Sequence, residues 1–338
     1  MNFRENVPLS TCTTLGVGGP ARWFADATSE LEIRQALTFA KEKKLRVFIL
    51  GGGSNVLARD QGFDGVVLHI ALRGVERDGI FLHASAGESW DALVQFAVDE
   101  NLAGIECLSG IPGTVGATPV QNVGAYGQEV SATIDRVDAI AMETGERVSF
   151  AGDACGFAYR MSRFNLEDAG QYILTKVSYK LHPGGAPQLL HAELKHALLE
   201  VEKPTLRQVR EAVLALRRRK GMVLIEGDPE CRTAGSFFKN PIVSQAIADA
   251  LEEKLGSGMP RFADPSGVKL SAAWLIGRAG FVRGFALGGA AISTRHTLAL
   301  VNRGNATAAE LLALRDRIAG QVLRQFGIEL QQEPVVLG

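Results

Sequence analysis

The chain has 338 residues, of which 46% are hydrophobic and 22% charged, with a formal net charge of −1. That length exceeds what one hydrophobic core usually serves, so two or three domains are expected. The near-neutral balance gives no global attraction to nucleic acid or an acidic membrane, and no run nears the roughly 20 apolar residues of a membrane span.

Cys12, Cys107, Cys155 and Cys231 are scattered singly. Without a Cys-x-x-Cys pair they argue against a zinc site or a redox dithiol, and a chain of this size needs no disulfide scaffold. The first residues, "MNFRENVPLSTCTT", lack the apolar stretch of a signal peptide, so the protein reads as cytoplasmic.

In chain order, Ser29 with Glu32 forms a capping box ahead of Ile33, Leu37 and Ala40, which predicts a helix. "RVFIL" (46–50) reads as a strand and runs into "GGGSNVLARD" (51–60). A Rossmann glycine loop must open a helix, whereas here Gly62 and Gly65 interrupt and a strand-like run follows. No Gly-Lys-Ser/Thr follows, which excludes a Walker A loop. What remains is a turn whose backbone N–H groups converge on an anion, or a plain turn.

Strands are expected at 65–70 and 80–86, then a helix over 89–102 with Trp90, Leu93 and Phe96 on one face. A second glycine-dense loop follows, "LSGIPGTVGATPVQNVGAYGQ" (108–128), with Pro112 and Pro119 to stiffen it. Either loop alone is as well explained by turns. Together they suit a large cofactor gripped through its phosphates.

Further along, 136–142, the turn "ETGE" and 147–150 predict a hairpin, and 172–181 a longer strand. "HPGGAPQ" (182–188) and 221–230 are candidate boundaries or mobile loops. Thr205 with Gln208 and Thr307 with Glu310 open two more helices, the second with a stripe of Leu311, Leu314, Ile318 and Val322 closed by Gly327. The run Arg217-Arg218-Arg219-Lys220 reads as cations at a helix C-terminus, against an anion-binding role for one of them. Helices and strands mix without βαβ alternation, so the fold class is α+β.

The motifs "GGGSNVLARD", "SGIPGTVGATPVQNVGAYG", "FAYR", "AGSFFKNP", "KLSAAWLI" and "ELQQEP" stand in an order that resembles the UDP-N-acetylenolpyruvoylglucosamine reductase family, longer-chain subgroup, from about residue 10 to the end. The resemblance implies a two-lobed FAD-binding fold of the vanillyl-alcohol-oxidase type plus a C-terminal α+β substrate domain. It divides the chain into lobe 1 (1–65), lobe 2 (66–220, with a substrate-covering loop near 182–196), a substrate domain (221–330) and a returning C-terminal segment (331–338). It implies non-covalent FAD, with NADPH as hydride donor, reducing UDP-N-acetylglucosamine enolpyruvate to UDP-N-acetylmuramate in a monomer. By the same resemblance, Gly51, Gly52, Gly53, Ser54, Asn55, Val56, Ile111, Pro112, Gly113, Gly116, Gly124 and Tyr126 bind the cofactor.

Reducing an enolpyruvyl ether adds hydride to one carbon and builds negative charge on its neighbour and the attached carboxylate. That charge needs a cation or hydrogen-bond donors, then a proton. Arg160 matches the family's catalytic arginine and can fork onto the carboxylate; by itself it would read as a salt-bridging surface residue. Ser236, with no Gly-x-Ser-x-Gly elbow around it, matches the family's proton donor, and a helix-capping role is compatible with that. Phe237 and Phe238 are an apolar wall or plain core. Glu333 matches the third catalytic residue, acting protonated or by hydrogen bonding near Arg160.

For substrate binding the candidates are His191, Lys220, Asn240 and His296. His191 stands where the subgroup carries a loop tyrosine, and either hydrogen-bonds a phosphate or faces water. "KGMVL" replaces the family's shorter "KLPDP" form, leaving Lys220 a substrate contact or a helix-end cation. Asn240 is a phosphate-region contact, and His296 a substrate contact or a satisfied core histidine. Two other functions fit the same lobes: an oxidase of a sugar or hydroxy acid, and a non-catalytic sugar-nucleotide-binding protein. "AGSFFKNP" with the C-terminal glutamate speaks against the first, and the intact trio of Arg160, Ser236 and Glu333 against the second.

Overall fold

The computed structural model describes residues 1–256 and 258–338. The chain forms two compact units: residues 1–8, 20–53 and 63–224 make the first, and 9–19, 54–62 and 225–338 the second.

The first unit carries two sheets. One orders its strands Arg4–Pro8, Pro20–Ala27, Phe63–Ile70 and Arg46–Leu50; the last three run parallel. Helix Glu30–Glu42 supplies the crossover between two of them and buries Ile33, Ala36 and Ala40. The Ser29 cap forms, since its hydroxyl accepts from Glu32 N–H, but Glu32 reaches back to the amide and hydroxyl of Thr28 rather than to Ser29.

The other sheet is antiparallel throughout, ordered Arg147–Ala151, Ile134–Ala141, Tyr172–Lys180, Phe81–Ser85 and Val75–Asp78. The expected hairpin is its first pair. Helix Trp90–Asp99 buries Trp90, Leu93, Val94, Ala97 and Val98. Phe96, expected on that face, is 38% exposed, because the buried stripe turns through Val94 and Ala97 instead. Both halves of the Thr205–Gln208 capping box form at helix Leu206–Arg219.

In the second unit an antiparallel sheet is ordered Thr233–Ser236, Ala299–Asn302, Ala290–Ile292 and Ala286–Leu287, and a smaller one joins Ile242–Val243, Gly267–Leu270 and Arg261–Asp264. Helix Ala308–Phe326 has the complete Thr307–Glu310 box, buries the expected Leu311, Leu314, Ile318 and Val322, and ends at Gly327 with φ +69°. Segments from the chain's beginning belong here too. Strand Val56–Ala58 runs parallel to Val335–Leu337, and Asp60 accepts from the N–H groups of Ala308 and Ala309 at the helix start, where a carboxylate also suits the helix dipole. Among the described residues no helix is long and apolar enough to cross a membrane.

Candidate active site

Ser236 closes strand Thr233–Ser236 and pairs with Ala299, so it lies at a strand end and not at a helix cap. Gly235 before it takes φ +75°, a left-handed conformation that glycine adopts without strain. Phe237 and Phe238 are 0% and 2% exposed and meet edge to face at 5.7 Å in the core. The serine, half-buried, is thus held by a sheet on one side and two anchored rings on the other.

Glu333 lies beside it. Its N–H donates to the Phe237 carbonyl at 2.9 Å, Phe238 bridges Gln332, and the Lys239 N–H donates to Gln331 O at 2.9 Å. Asn55 fastens the same segment: its Nδ2 donates to Glu333 O at 3.3 Å and its carbonyl accepts from Val335 N–H at 2.9 Å. Two catalytic candidates separated by 97 positions thereby share one hydrogen-bonded strip, together with the cofactor candidate Asn55. Val56 is buried in the adjoining strand, and Ser54 precedes it. Asn240 Oδ1 accepts from Ala272 N–H at the start of helix Ala272–Arg278. His296 Nδ1 accepts from Leu298 N–H at 3.0 Å, so Nε2 carries the proton of the neutral ring.

Arg160 belongs to the first unit, with φ +57°. A non-glycine residue in this region stores strain that the surroundings must hold. They do: Arg160 Nη2 donates to Gly124 O at 2.8 Å, its carbonyl accepts from Asn165 Nδ2 at 3.3 Å, and the guanidinium lies 5.3 Å from the Tyr159 ring centroid. Gly124 is needed here because a Cβ would come within 3.2 Å of Arg160 Nη1 and 2.7 Å of Glu129 Cγ.

Residues 51–53 of the first glycine loop meet the second loop within this unit. A Cβ on Gly51 would stand 2.6 Å from Thr114 Oγ1, one on Gly52 2.9 Å from Gly113 Cα, and one on Gly116 2.5 Å from Ala86 Cβ. The second loop thus presents backbone to Gly52 and the Thr114 hydroxyl to Gly51. That chemistry suits the pyrophosphate of a dinucleotide cofactor, so the residues present fit FAD.

The second loop has supports that its sequence does not advertise. Asp91 accepts from Gly110 N–H at 2.6 Å and takes a two-pronged grip from Arg210 at 2.6 and 3.0 Å. Burial raises the Asp91 pKa, but the Arg210 and Gly110 hydrogen bonds outweigh it and hold the carboxyl below its ordinary value. Trp90 Nε1 donates to Leu108 O, and the buried Tyr179 hydroxyl meets Thr118 Oγ1 at 2.8 Å. The one available signal is Arg210 itself, a cation inside the Val209–Val213 stripe.

Tyr126, at φ +51°, gathers the remaining candidates. His191 meets its ring edge-on at 5.2 Å and Lys220 Nζ lies 5.6 Å from its centroid. Of the basic run Arg218 and Arg219 are exposed and Lys220 is half-buried; Arg217 is buried and donates to Met222 O.

Burial, then the Lys220 ammonium, keep the His191 pKa below the ordinary 6.5. The unfolded chain therefore takes up this proton first. The group's contribution to stability is complete above the unfolded value and is lost as pH falls through the folded one. Replacing His191 by glutamine is expected to flatten the decline of Tm as pH falls below the ordinary 6.5, as thermal melts would show; an unchanged slope would refute this.

Residues 228–337 match the model of the UDP-N-acetylenolpyruvoylglucosamine reductase C-terminal domain, and 21–151 match that of an FAD binding domain. The chain is 45% identical to the UDP-N-acetylenolpyruvoylglucosamine reductase of Streptomyces coelicolor over 99% of its own length and 90% of the relative's. It is 43% identical to that of Thermobifida fusca, covering 100% and 98%. The crystal structure of the Thermus caldophilus enzyme superposes over 100% of both chains with a TM-score of 0.70 at 26% identity.

Proposed function

Because the chain belongs to the UDP-N-acetylenolpyruvoylglucosamine reductase family, we propose that Arg160, Ser236 and Glu333 carry the reaction of that family in this protein. The protein is an NADPH-dependent flavoprotein oxidoreductase that reduces UDP-N-acetylglucosamine enolpyruvate to UDP-N-acetylmuramate, a precursor of peptidoglycan. Bound FAD supplies hydride transfer from NADPH to the enolpyruvyl group.

The chain's own residues handle charge and protons. The Arg160 guanidinium binds the substrate carboxylate by two parallel hydrogen bonds and stabilises the negative charge that hydride addition places beside it. Ser236 Oγ delivers a proton to the carbon carrying that charge. Glu333 acts protonated or as a hydrogen-bonding group, since an ionised carboxylate would oppose the developing charge. Gly51, Gly52, Gly53, Ser54, Asn55, Val56, Ile111, Pro112, Gly113, Gly116, Gly124 and Tyr126 hold the cofactor, and His191, Lys220, Asn240 and His296 receive the sugar nucleotide.

The observation carrying this reading is the hydrogen bond from Glu333 N–H to Phe237 O, which sets the glutamate one residue from Ser236 across the ladder. An anaerobic flavin spectrum tests the reaction. NADPH is expected to bleach the flavin, and the enolpyruvyl sugar nucleotide to restore its colour promptly. Bleaching without reoxidation would point to an oxidase of the same FAD-binding fold.

A further inference from the structure

Lys220 is the C-cap of helix Leu206–Arg219, and two neighbours occupy it. Its Nζ donates to the Glu193 carboxylate at 2.5 Å, and one side of the ammonium faces the Tyr126 ring. Glu193 sits in the first turn of the six-residue helix Ala192–Ala197, whose N-cap, His191, makes no side-chain capping bond. The segment before it presses directly on the cofactor loop, since a Cβ on Gly127 would meet Leu190 Cβ at 2.7 Å. The Tyr126 loop and the short helix of Glu193 thus converge on one lysine.

We propose that Glu193 is a positioning residue that sets the affinity for anionic nucleotides: its carboxylate is an internal counter-anion on Lys220 that a nucleotide phosphate must displace. This rests on the reading of Lys220 as a phosphate contact. The side chains are 28% and 39% exposed. An ion pair this open to solvent is weak and exchanges readily, whereas a buried one would not release its cation. A phosphate brings more charge and more acceptor oxygens than one carboxylate, and so takes over the ammonium by charge-assisted hydrogen bonds. Removing the negative charge of Glu193 therefore strengthens binding. A glutamate that merely aimed the lysine would act with the opposite sign.

Calorimetric titration of the FAD-loaded protein with UDP, and with uridine as the phosphate-free control, tests this. Glu193→Gln is expected to tighten UDP by about two- to five-fold at low ionic strength and to leave uridine unchanged. The gain should shrink toward about 0.5 M salt. Lys220→Met is expected to weaken UDP, and adding Glu193→Gln to it should change nothing further. If Lys220→Met weakens UDP while Glu193→Gln alone weakens it or leaves it unaltered, the counter-anion inference is overturned and the reading of Lys220 stands. If Lys220→Met leaves UDP binding unaltered, that reading fails and the inference with it.

Discussion

Replacing Ser236 by alanine is expected to slow formation of UDP-N-acetylmuramate by roughly 10²- to 10⁴-fold, while NADPH still bleaches the flavin at its normal rate. The substitution removes one oxygen from a half-buried strand end. It opens no cavity in the core, because Ser236 is only half-buried and stands outside the core cluster in which Phe237 and Phe238 stay anchored. Gly235 keeps the left-handed turn that presents the position. The loss therefore falls on proton delivery alone. Stopped-flow measurement of the two half-reactions separates them, and a variant that still turned over at the parent rate would remove Ser236 from its role.

Gly52→Ala is expected to weaken FAD binding about 5- to 150-fold, the range that 1–3 kcal/mol of overpacking gives. The new methyl would stand 2.9 Å from Gly113 Cα and 3.3 Å from Gly113 C. These are backbone atoms, and that loop is also tied down by the bonds from Trp90 N–H to Gly113 O and from Gly110 N–H to Asp91. Neither loop can yield without shifting the other, so the cradle itself opens. Gly277→Ala is the control, since a Cβ there meets nothing within 4 Å. Flavin content after gel filtration and the FAD Kd report the effect. Full flavin occupancy with unchanged affinity in Gly52→Ala would show that the two loops do not grip the cofactor.

Much of this was legible residue by residue. The caps at Thr205 and Thr307, the left-handed stop at Gly327 and the hairpin around "ETGE" are short-range choices, made by groups three or four positions apart, and the structure realises each. The glycine loops also announced themselves, because close backbone approach demands that residue type wherever the partner lies. Phe96 went the other way, since helical periodicity alone did not decide which edge of the stripe faces the core. Ser236 left open a capping role that its strand-end position excludes.

Sequence by itself therefore determined the fold class and, through its ordered motifs, the family and its cofactor. Tertiary structure alone decided which distant groups share a contact. Residues 9–19 and 54–62 join the C-terminal unit, Glu333 lies along Phe237, Arg210 clasps Asp91, and Glu193 holds Lys220. The reason is physical: local propensity spans a turn of helix or a pair of strand residues. A hydrogen bond or ion pair between residues 96 or 119 positions apart forms only after the cores that carry them have packed, and its identity is set by that packing.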